Sequence, residues 1–275
     1  MKSLVSIIIP TYNRAYILGR AVRSVFEQSY ENLEVLIVDD GSTDNTSDII
    51  RDFKDSRLRF FHDSQNKGRA YALNIGIRNS KGNFLAILDS DDEYLPQKIK
   101  KSLIILENSL INFDLVASNY YVIKRDKSKT LGIKKPYQKK RIFPSSSSWV
   151  LKKGVFEKIG FFDERLLLTQ DVDFFHRFLK KFDFHLIDEP LLNIYQMKDG
   201  AFSDMNKVIE IRKKYMENLK NDKPIYAQHL SYLGKDYLRV GQNKNARECF
   251  LKAFYAYPRN FRYLLKYLKT YRRSK

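Results

Sequence analysis

Acidic residues cluster directly after one strongly apolar segment of the chain, the run Phe84–Leu88. Three carboxylates follow it, at Asp89, Asp91 and Asp92. Carboxylates at positions i and i+2, with a third adjacent, can face one divalent cation, and such oxygen ligands suit Mg²⁺ or Mn²⁺. The alternative is a solvated turn that caps the helix predicted after Pro96.

Two further polar clusters follow apolar runs. Asp40 lies within Val38–Ser42, where a carboxylate can accept a hydrogen bond from a base N–H of a nucleotide. The other cluster, Thr11–Arg14, follows the first apolar run of the chain. There Tyr12 can stack on a base and Thr11 can hydrogen-bond it. A plain turn is the alternative for both clusters, because Asp, Gly and Ser are turn residues. The first strand is not followed by G-x-G-x-x-G, and the chain has no P-loop motif.

The apolar runs alternate with helical patterns over the first 125 residues, which predicts an α/β fold with a parallel sheet. The predicted strands are Leu4–Ile9, Glu34–Val38, Arg57–His62, Phe84–Leu88 and Leu115–Val122. Ligands bind beyond the carboxyl ends of the strands in such sheets. The three polar clusters all follow strands, so we expect them to line one crevice.

These segments together resemble the family 2 glycosyltransferases of the GT-A fold. The matching segments are Ser6–Arg14, Val38–Thr46, Asn66–Gly68, Leu88–Asp92, Ile159–Glu164 and Gln170–Phe174. The resemblance covers roughly residues 3–200. It implies a mostly parallel, Rossmann-like sheet that binds a nucleotide diphospho-sugar, and inverting transfer from a UDP-sugar to an acceptor hydroxyl in polysaccharide or glycolipid synthesis.

The resemblance also implies a role for individual residues. Thr11 and Tyr12 should flank the uracil, and Asp40 should accept its N3–H. Asp91 should bind the metal that holds the diphosphate, and Asp171 should be the general base. The other nucleotide-site candidates are Pro10, Arg14, Gly68, Asp89 (near the ribose) and Ser90. The acceptor-side candidates are Trp149, Asp163, Glu164 and Gln170.

Two segments depart from the family pattern. The family usually has Glu-Asp where this chain has Gln170 and Asp171, so one neighbouring negative charge is lost. We expect this loss either to alter contacts with the acceptor or to lower the pKa of Asp171, because a like charge is gone. The family often has Tyr-Arg-x-His where this chain has Tyr195–Lys198, so a histidine is missing near the metal or diphosphate.

The C-terminal part of the chain is strongly basic. The whole chain has a net charge of +18, and residues 206–275 contribute 18 basic and 5 acidic side chains to it. From about Lys207 the sequence predicts only helices. One stretch has tetratricopeptide-like spacing, with an ordinary helical hairpin as the alternative: Leu230, Leu233, Gly234, Tyr237, Gly241, Ala246, Phe250, Ala253 and Pro258.

The last predicted helix combines apolar and basic residues. Its apolar stripe consists of Phe261, Leu264, Leu265, Leu268 and Tyr271, with Lys and Arg around it. A basic amphipathic helix suits an anionic membrane surface. The alternative is a helix that packs its stripe on the preceding hairpin.

Composition and length favour a folded protein of one or two domains. We expect a glycosyltransferase domain over 1–205, with a nucleotide-sugar half (1–125) and an acceptor half (126–205), and a helical region over 206–275. Cys249 is the only cysteine, and the N-terminus lacks a signal-peptide pattern. We therefore expect a cytoplasmic enzyme, peripheral on the inner face of a membrane.

Two other classes of function compete with an enzyme. A catalytically idle scaffold would keep the fold and bind partners through its tail, but the carboxylates of the site argue against it. Nucleic-acid binding through the basic tail lacks a stacking platform or a known reading motif, so we expect no nucleic-acid partner.

Overall fold

The computed structural model forms two compact units, Met1–Met197 and Lys198–Lys275. We predicted a domain boundary between residues 205 and 206, slightly after the division between these two units, and that boundary stays a prediction. The structure describes residues 2–108, 110, 112–124, 126–132, 144–166, 168–197, 204–217 and 219–272.

The first unit contains a sheet of nine strands within these described residues. The strands are β1 (Val5–Thr11), β2 (Leu33–Asp39), β3 (Leu58–His62), β4 (Phe84–Ile87), β5 (Glu93–Tyr94), β6 (Leu115–Ile123), β7 (Lys129–Leu131), β8 (Val150–Lys152) and β9 (Phe184–Tyr195). Their order is β3-β2-β1-β4-β8-β6-β9-β5, and β7 pairs with β6. The helices of this unit are α1 (Ala15–Phe26), α2 (Thr46–Arg51), α3 (Arg69–Asn79), α4 (Lys98–Leu106), α5 (Gly154–Ile159) and α6 (Gln170–Leu179).

The first half of the sheet is parallel, as predicted. β1 pairs with β2 and β4, and β2 pairs with β3, all in parallel. The register places Thr11 beside Asp39, so two polar clusters begin at the same edge. The second half is mixed, because β8 runs antiparallel to both β4 and β6 while β6 and β9 are parallel. The α/β class is confirmed.

Alternation along the central strand explains why the sheet has a core on each face. Successive side chains of a strand point to opposite faces. Ile7 and Ile9 accordingly pack in one cluster, with the buried faces of α1 and α4. Ile8 packs in the other cluster, with α3 and α6. Apolar residues on both faces make β1 a continuous apolar run, as is typical of parallel strands.

The second unit consists of helices in its described part, as the sequence predicted. They are α7 (Met205–Glu217), α8 (Lys223–Arg239), α9 (Asn243–Ala256) and α10 (Arg262–Arg272). α8 packs closely on α9, because a Cβ at Gly234 would lie 2.7 Å from the ring of Phe250. Cys249 is buried in the same core, and burial raises the pKa of its thiol to about 11.

Helix α10 buries a different face from the apolar stripe, which the alternative interpretation packed on the preceding hairpin. Tyr263 faces the core of the second unit, whereas Phe261, Leu265 and Leu268 are exposed. Among the described residues, no helix is long and apolar enough to span a bilayer.

The closest helix–sheet contact yields a test of the fold. A Cβ at Gly76 would lie 2.5 Å from Cγ2 of Ile8, a stiff side chain in the centre of the sheet. We expect Gly76→Ala to lower the free energy of unfolding by about 1–3 kcal/mol, the usual cost of overpacking. The matched control is Gly154→Ala, because a Cβ there meets nothing within 4 Å. Denaturant titration of both variants would contradict the packing if Gly76→Ala were as stable as Gly154→Ala.

Candidate active site

Hydrogen bonds join the polar clusters at the ends of β1 and β2. The amide of Asp40 donates to the carbonyl oxygen of Thr11 at 2.9 Å. The amide of Asn13 donates to Ser42 Oγ at 2.8 Å, and Asn13 Oδ1 accepts the amide of Thr43 at 2.8 Å. The two loops therefore form one surface beyond the sheet.

The carboxylate of Asp40 anchors a third loop to this surface. Its Oδ1 accepts the amide of Lys67 at 2.9 Å, and its Oδ2 accepts the amide of Gly68 at 2.7 Å. Gly68 has φ 101°, a left-handed conformation that favours glycine. Burial raises the pKa of Asp40, while these two amides act in the opposite direction. Each carboxylate oxygen keeps a second lone pair for a ligand.

The residues predicted around the base lie on this surface. Pro10 is buried within β1 opposite Val38. The ring of Tyr12 is 42% exposed, which leaves a face for stacking. Thr11 is buried, and its Oγ1 has no hydrogen-bond partner among the described residues. A buried hydroxyl without a partner is costly, so Thr11 favours a polar ligand at this point.

Arg69 is a residue of the site that the sequence reasoning missed. Its Nε and Nη2 donate to Asp89 Oδ1 at 2.9 and 2.5 Å, and Nη2 also donates to Ser146 Oγ at 2.9 Å. Nη1 is buried with no partner in the described part of the chain. The sequence does contain one signal that could have indicated Arg69 as a site residue: it stands directly after Gly68, at the start of α3.

Asp91 and Asp92 are the remaining carboxylates after β4, and neighbouring groups do not fully offset their negative charges. Burial raises the pKa of Asp91, and the charge of Asp89 adds to the effect. Burial also raises the pKa of Asp92, although Asp92 accepts hydrogen bonds from Ser147 and from the amide of Tyr195 at 3.3 Å. Ser90, between Asp89 and Asp91 in the sequence, is buried. The positive charge of Arg14 acts to lower the pKa of Asp91.

A divalent cation would be held here by few protein ligands. Over the described ranges, no group of three His, Cys, Asp or Glu side chains is placed to hold a metal ion. Mg²⁺ commonly binds through one or two carboxylates plus substrate phosphates. Asp91 fits such a site, since its carboxylate is half-buried and lies near the like charge of Asp89.

Asp171 lies in the first turn of α6, close to the Arg69–Asp89 pair. Its Oδ1 accepts the amide of Val172 at 2.9 Å. Burial raises its pKa, the charge of Arg69 lowers it, and the charge of Asp89 raises it. The structure therefore brings the predicted base close to Asp89, the predicted ribose carboxylate, and to Arg69.

The four acceptor-side candidates occupy different environments. Gln170 is buried beside Asp171, and its Oε1 has no partner among the residues described. Asp163 pairs with Arg165 at 2.6 Å, and Glu164 accepts the side-chain amide of Asn74 at 2.7 Å. Both are anchored at the surface of the first unit.

Trp149 is a correction to the acceptor-side prediction. Its ring is fully buried, stacked on Phe174 and Phe175, and its Nε1 donates to the carbonyl oxygen of Pro144 at 3.1 Å. A side chain in this position cannot contact an acceptor, and Trp149 is a core residue.

The end of the last strand, β9, has its own anchor. The guanidinium carbon of Arg20 lies 3.3 Å from the centre of the Tyr195 ring, and the Tyr195 hydroxyl donates to Glu93 at 2.8 Å. Arg20 also donates to the carbonyl oxygen of Asp91 at 2.5 Å. Lys198, which stands at the position of the family histidine, lies outside the described residues.

Comparison with known proteins identifies the class. The sequence pattern of glycosyl transferase family 2 matches residues 6–160. An uncharacterized glycosyltransferase of Rickettsia typhi is 33% identical over 239 residues, which cover 81% of this chain and 74% of that protein. The chain belongs to glycosyl transferase family 2 and is a glycosyltransferase.

Two further proteins extend the comparison. The Escherichia coli UDP-Glc:α-D-GlcNAc-diphosphoundecaprenol β-1,3-glucosyltransferase WfaP is 41% identical over 121 residues, which cover 44% of this chain and 47% of WfaP. The crystal structure of Staphylococcus aureus TarS 1–349 in complex with UDP-GlcNAc matches with a TM-score of 0.63 at 16% identity, covering 98% of this chain and 79% of that chain. The latter likeness supports the GT-A fold.

The charge excess of the site yields a pH prediction. The raised pKa of Asp92 means that the folded chain holds a proton that the unfolded chain releases. Stability is therefore lost as the pH rises from about 4 through the folded pKa. We expect Asp92→Asn to unfold at a higher temperature than the wild type at pH 7 in EDTA, with the gap closing toward pH 4.

The control for this prediction is Asp52→Asn, which removes an exposed carboxylate. That variant should follow the wild type at every pH. An Asp92→Asn variant that gains no stability at pH 7 would show that the buried charge is compensated.

Proposed function

We propose that this chain transfers a sugar from a UDP-sugar to an acceptor hydroxyl with inversion at the anomeric carbon. The observation that carries the proposal is the position of Asp171 next to Arg69 and Asp89, at the edge where the clusters after β1, β2 and β4 meet. WfaP, by its name, uses UDP-Glc, and TarS binds UDP-GlcNAc.

The donor would bind along the clusters in chain order. The base would stack on Tyr12, hydrogen-bond Thr11 Oγ1, and donate its N3–H to a free lone pair of Asp40. The ribose and diphosphate would then lie toward Asp89 and Asp91. Nη1 of Arg69 is buried without a partner in the described structure, so it has a donor available for the diphosphate.

A divalent cation, Mn²⁺ or Mg²⁺, fits this arrangement. Asp91 would hold it, because this half-buried carboxylate lies near the like charge of Asp89, and the diphosphate would complete the coordination. When bound, such a cation neutralises negative charge on the departing UDP.

Asp171 would act as the general base. Its carboxylate takes the proton of the acceptor hydroxyl, and that oxygen forms a bond to the anomeric carbon from the face opposite the phosphate. The bond from the anomeric carbon to the phosphate oxygen breaks, and UDP leaves with the electron pair. Burial keeps the pKa of Asp171 raised, which makes the carboxylate a stronger proton acceptor.

A panel of nucleotide-sugars tests the donor. We expect UDP-sugars with Mn²⁺ to raise the melting temperature, since a ligand that binds the folded state stabilises it. GDP- and CMP-sugars serve as the controls for the base. In Asp91→Asn, the Mn²⁺-dependent part of the shift should disappear. Stabilisation by GDP-sugars but not by UDP-sugars would reject the proposed donor.

The base assignment predicts a selective loss of turnover. Asp171→Asn keeps the shape of the side chain but cannot accept a proton, and general-base catalysis is typically worth ~10²–10⁴-fold. We expect kcat to fall by about that range, with UDP affinity by calorimetry unchanged. The matched control is Asp173→Asn on the same helix, which breaks an ion pair with Arg177. Full activity in Asp171→Asn would remove the base role.

The second unit would bring the enzyme to a lipid-linked acceptor on the inner face of a membrane. WfaP, by its name, acts on a diphosphoundecaprenol-linked sugar. We propose that α8 and α9 form one tetratricopeptide-like hairpin and that α10 rests on anionic lipid. Exposed apolar side chains beside Arg262 and Lys269 support the contact.

This membrane contact predicts an effect of one exposed side chain. Leu265 is 55% exposed on α10, and we expect Leu265→Glu to weaken co-sedimentation with phosphatidylglycerol vesicles at low salt. The control is Leu110→Glu, which places the same charge at an exposed leucine of the first unit. Equal, salt-insensitive sedimentation of both variants and the wild type would contradict the contact.

A further inference from the structure

Lys98 carries a buried amine that the proposed mechanism does not use. It lies at the start of α4, and its side chain is fully buried. Nζ donates to the carbonyl oxygen of Ser148 at 2.5 Å and to Ser118 Oγ at 3.2 Å. No carboxylate pairs with it in the described part of the chain, and burial lowers its pKa to about 7. A buried amine with only neutral partners is costly for the fold.

The carbonyl that Lys98 holds belongs to a short turn made only of serines. We call Ser146–Ser148 the serine turn; it is a single turn of 3₁₀ helix, and all three residues are buried. Ser148 Oγ donates to the carbonyl oxygen of Ser145 at 2.6 Å. The turn therefore has little freedom of its own once Lys98 is bound to it.

The other two serines of the turn contact the candidate active site. Ser146 Oγ accepts from Arg69 Nη2 at 2.9 Å. Ser147 Oγ accepts the amide of Asp89 at 3.2 Å and also donates to the carboxylate of Asp92. The serine turn thus connects the start of α3 to the end of β4, the two elements that supply the charged groups of the site.

We propose that Lys98 is a positioning residue, which holds the serine turn so that Arg69 and Asp89 keep the geometry needed for the donor diphosphate. This inference deepens the proposed function and rests on it. Lys98 contacts neither donor nor acceptor and acts through Ser148. A methionine would fill the same space without the desolvation cost, but it has no N–H to hold the carbonyl of Ser148.

This role predicts opposite effects on stability and activity in Lys98→Met. We expect the melting temperature to be equal to or above that of the wild type, because a poorly compensated buried amine is removed. We expect kcat/KM for the UDP-sugar to fall by about 10- to 100-fold, the scale of a small misplacement at a site. The control is Lys101→Met on the same helix, which loses only a surface ion pair with Glu189.

Hydrogen exchange tests the turn independently of activity. In Lys98→Met, peptides covering 144–150 and 88–92 should exchange faster, because the amides of Ser148, Trp149 and Asp89 are bonded within or to the turn. Ser147→Ala should lower kcat/KM in the same direction. The double variant should lose less than the product of the two single losses, as expected for groups in one network.

The outcomes separate this proposal from the proposed function. Unchanged exchange in both peptides overturns the positioning role, whatever the donor proves to be. Faster exchange with wild-type kcat/KM overturns it as well, since the turn would then be uncoupled from the site. A lower melting temperature with a matching loss of activity indicates a purely structural lysine and also overturns it. Absence of any UDP-sugar turnover in the wild type rejects the proposed function, while the exchange result still decides whether Lys98 holds the turn.

Discussion

The site depends on the pairing of one arginine with a group of carboxylates that lie too close together. Asp89, Asp91, Asp92 and Asp171 lie within electrostatic reach of one another or of Arg69. The guanidinium pairs with only one of them, Asp89, and water screens the others incompletely, because Asp92 is buried and Asp91 and Asp171 are half-buried. This arrangement is unfavourable for the empty fold and favourable for a ligand that brings positive charge. Three of these carboxylates lie within residues 89–92 after β4, and the first turn of α6 places the fourth, Asp171, near Asp89 and Arg69.

Much of the first half of the molecule could be predicted, since its signals are local. Apolar runs ended by polar residues indicated β1, β2 and β4, and the same residues supplied Asp40 and Asp91 as site candidates. Strand order in the second half could not be predicted, because the antiparallel insertion of β8 is decided by packing between distant segments. Trp149 shows the limit clearly: it follows four serines and was predicted on the acceptor side, yet its ring is buried against Phe174 and Phe175.

Neither Arg69 nor Lys98 was predicted to belong to the site, for a related reason. Arginine and lysine are almost never fully buried unless they are paired, so solvent exposure is the ordinary expectation for both. Arg69 is half-buried and Lys98 fully buried, and both bond to the serine turn, which lies far along the chain and resembles a simple polar linker in the sequence. Charged side chains that a fold buries at a cost are good candidates for function, and here both are connected to the same turn.

The hydrogen bonds from the amides of Lys67 and Gly68 to the Asp40 carboxylate affect how a ligand enters the site. Two backbone amides and a left-handed glycine fix that loop before anything binds. A nucleotide would therefore meet a surface whose conformational entropy was already lost when the chain folded. Less ordering at the moment of binding leaves more of the contact energy as affinity, and association can proceed without waiting for a loop to close.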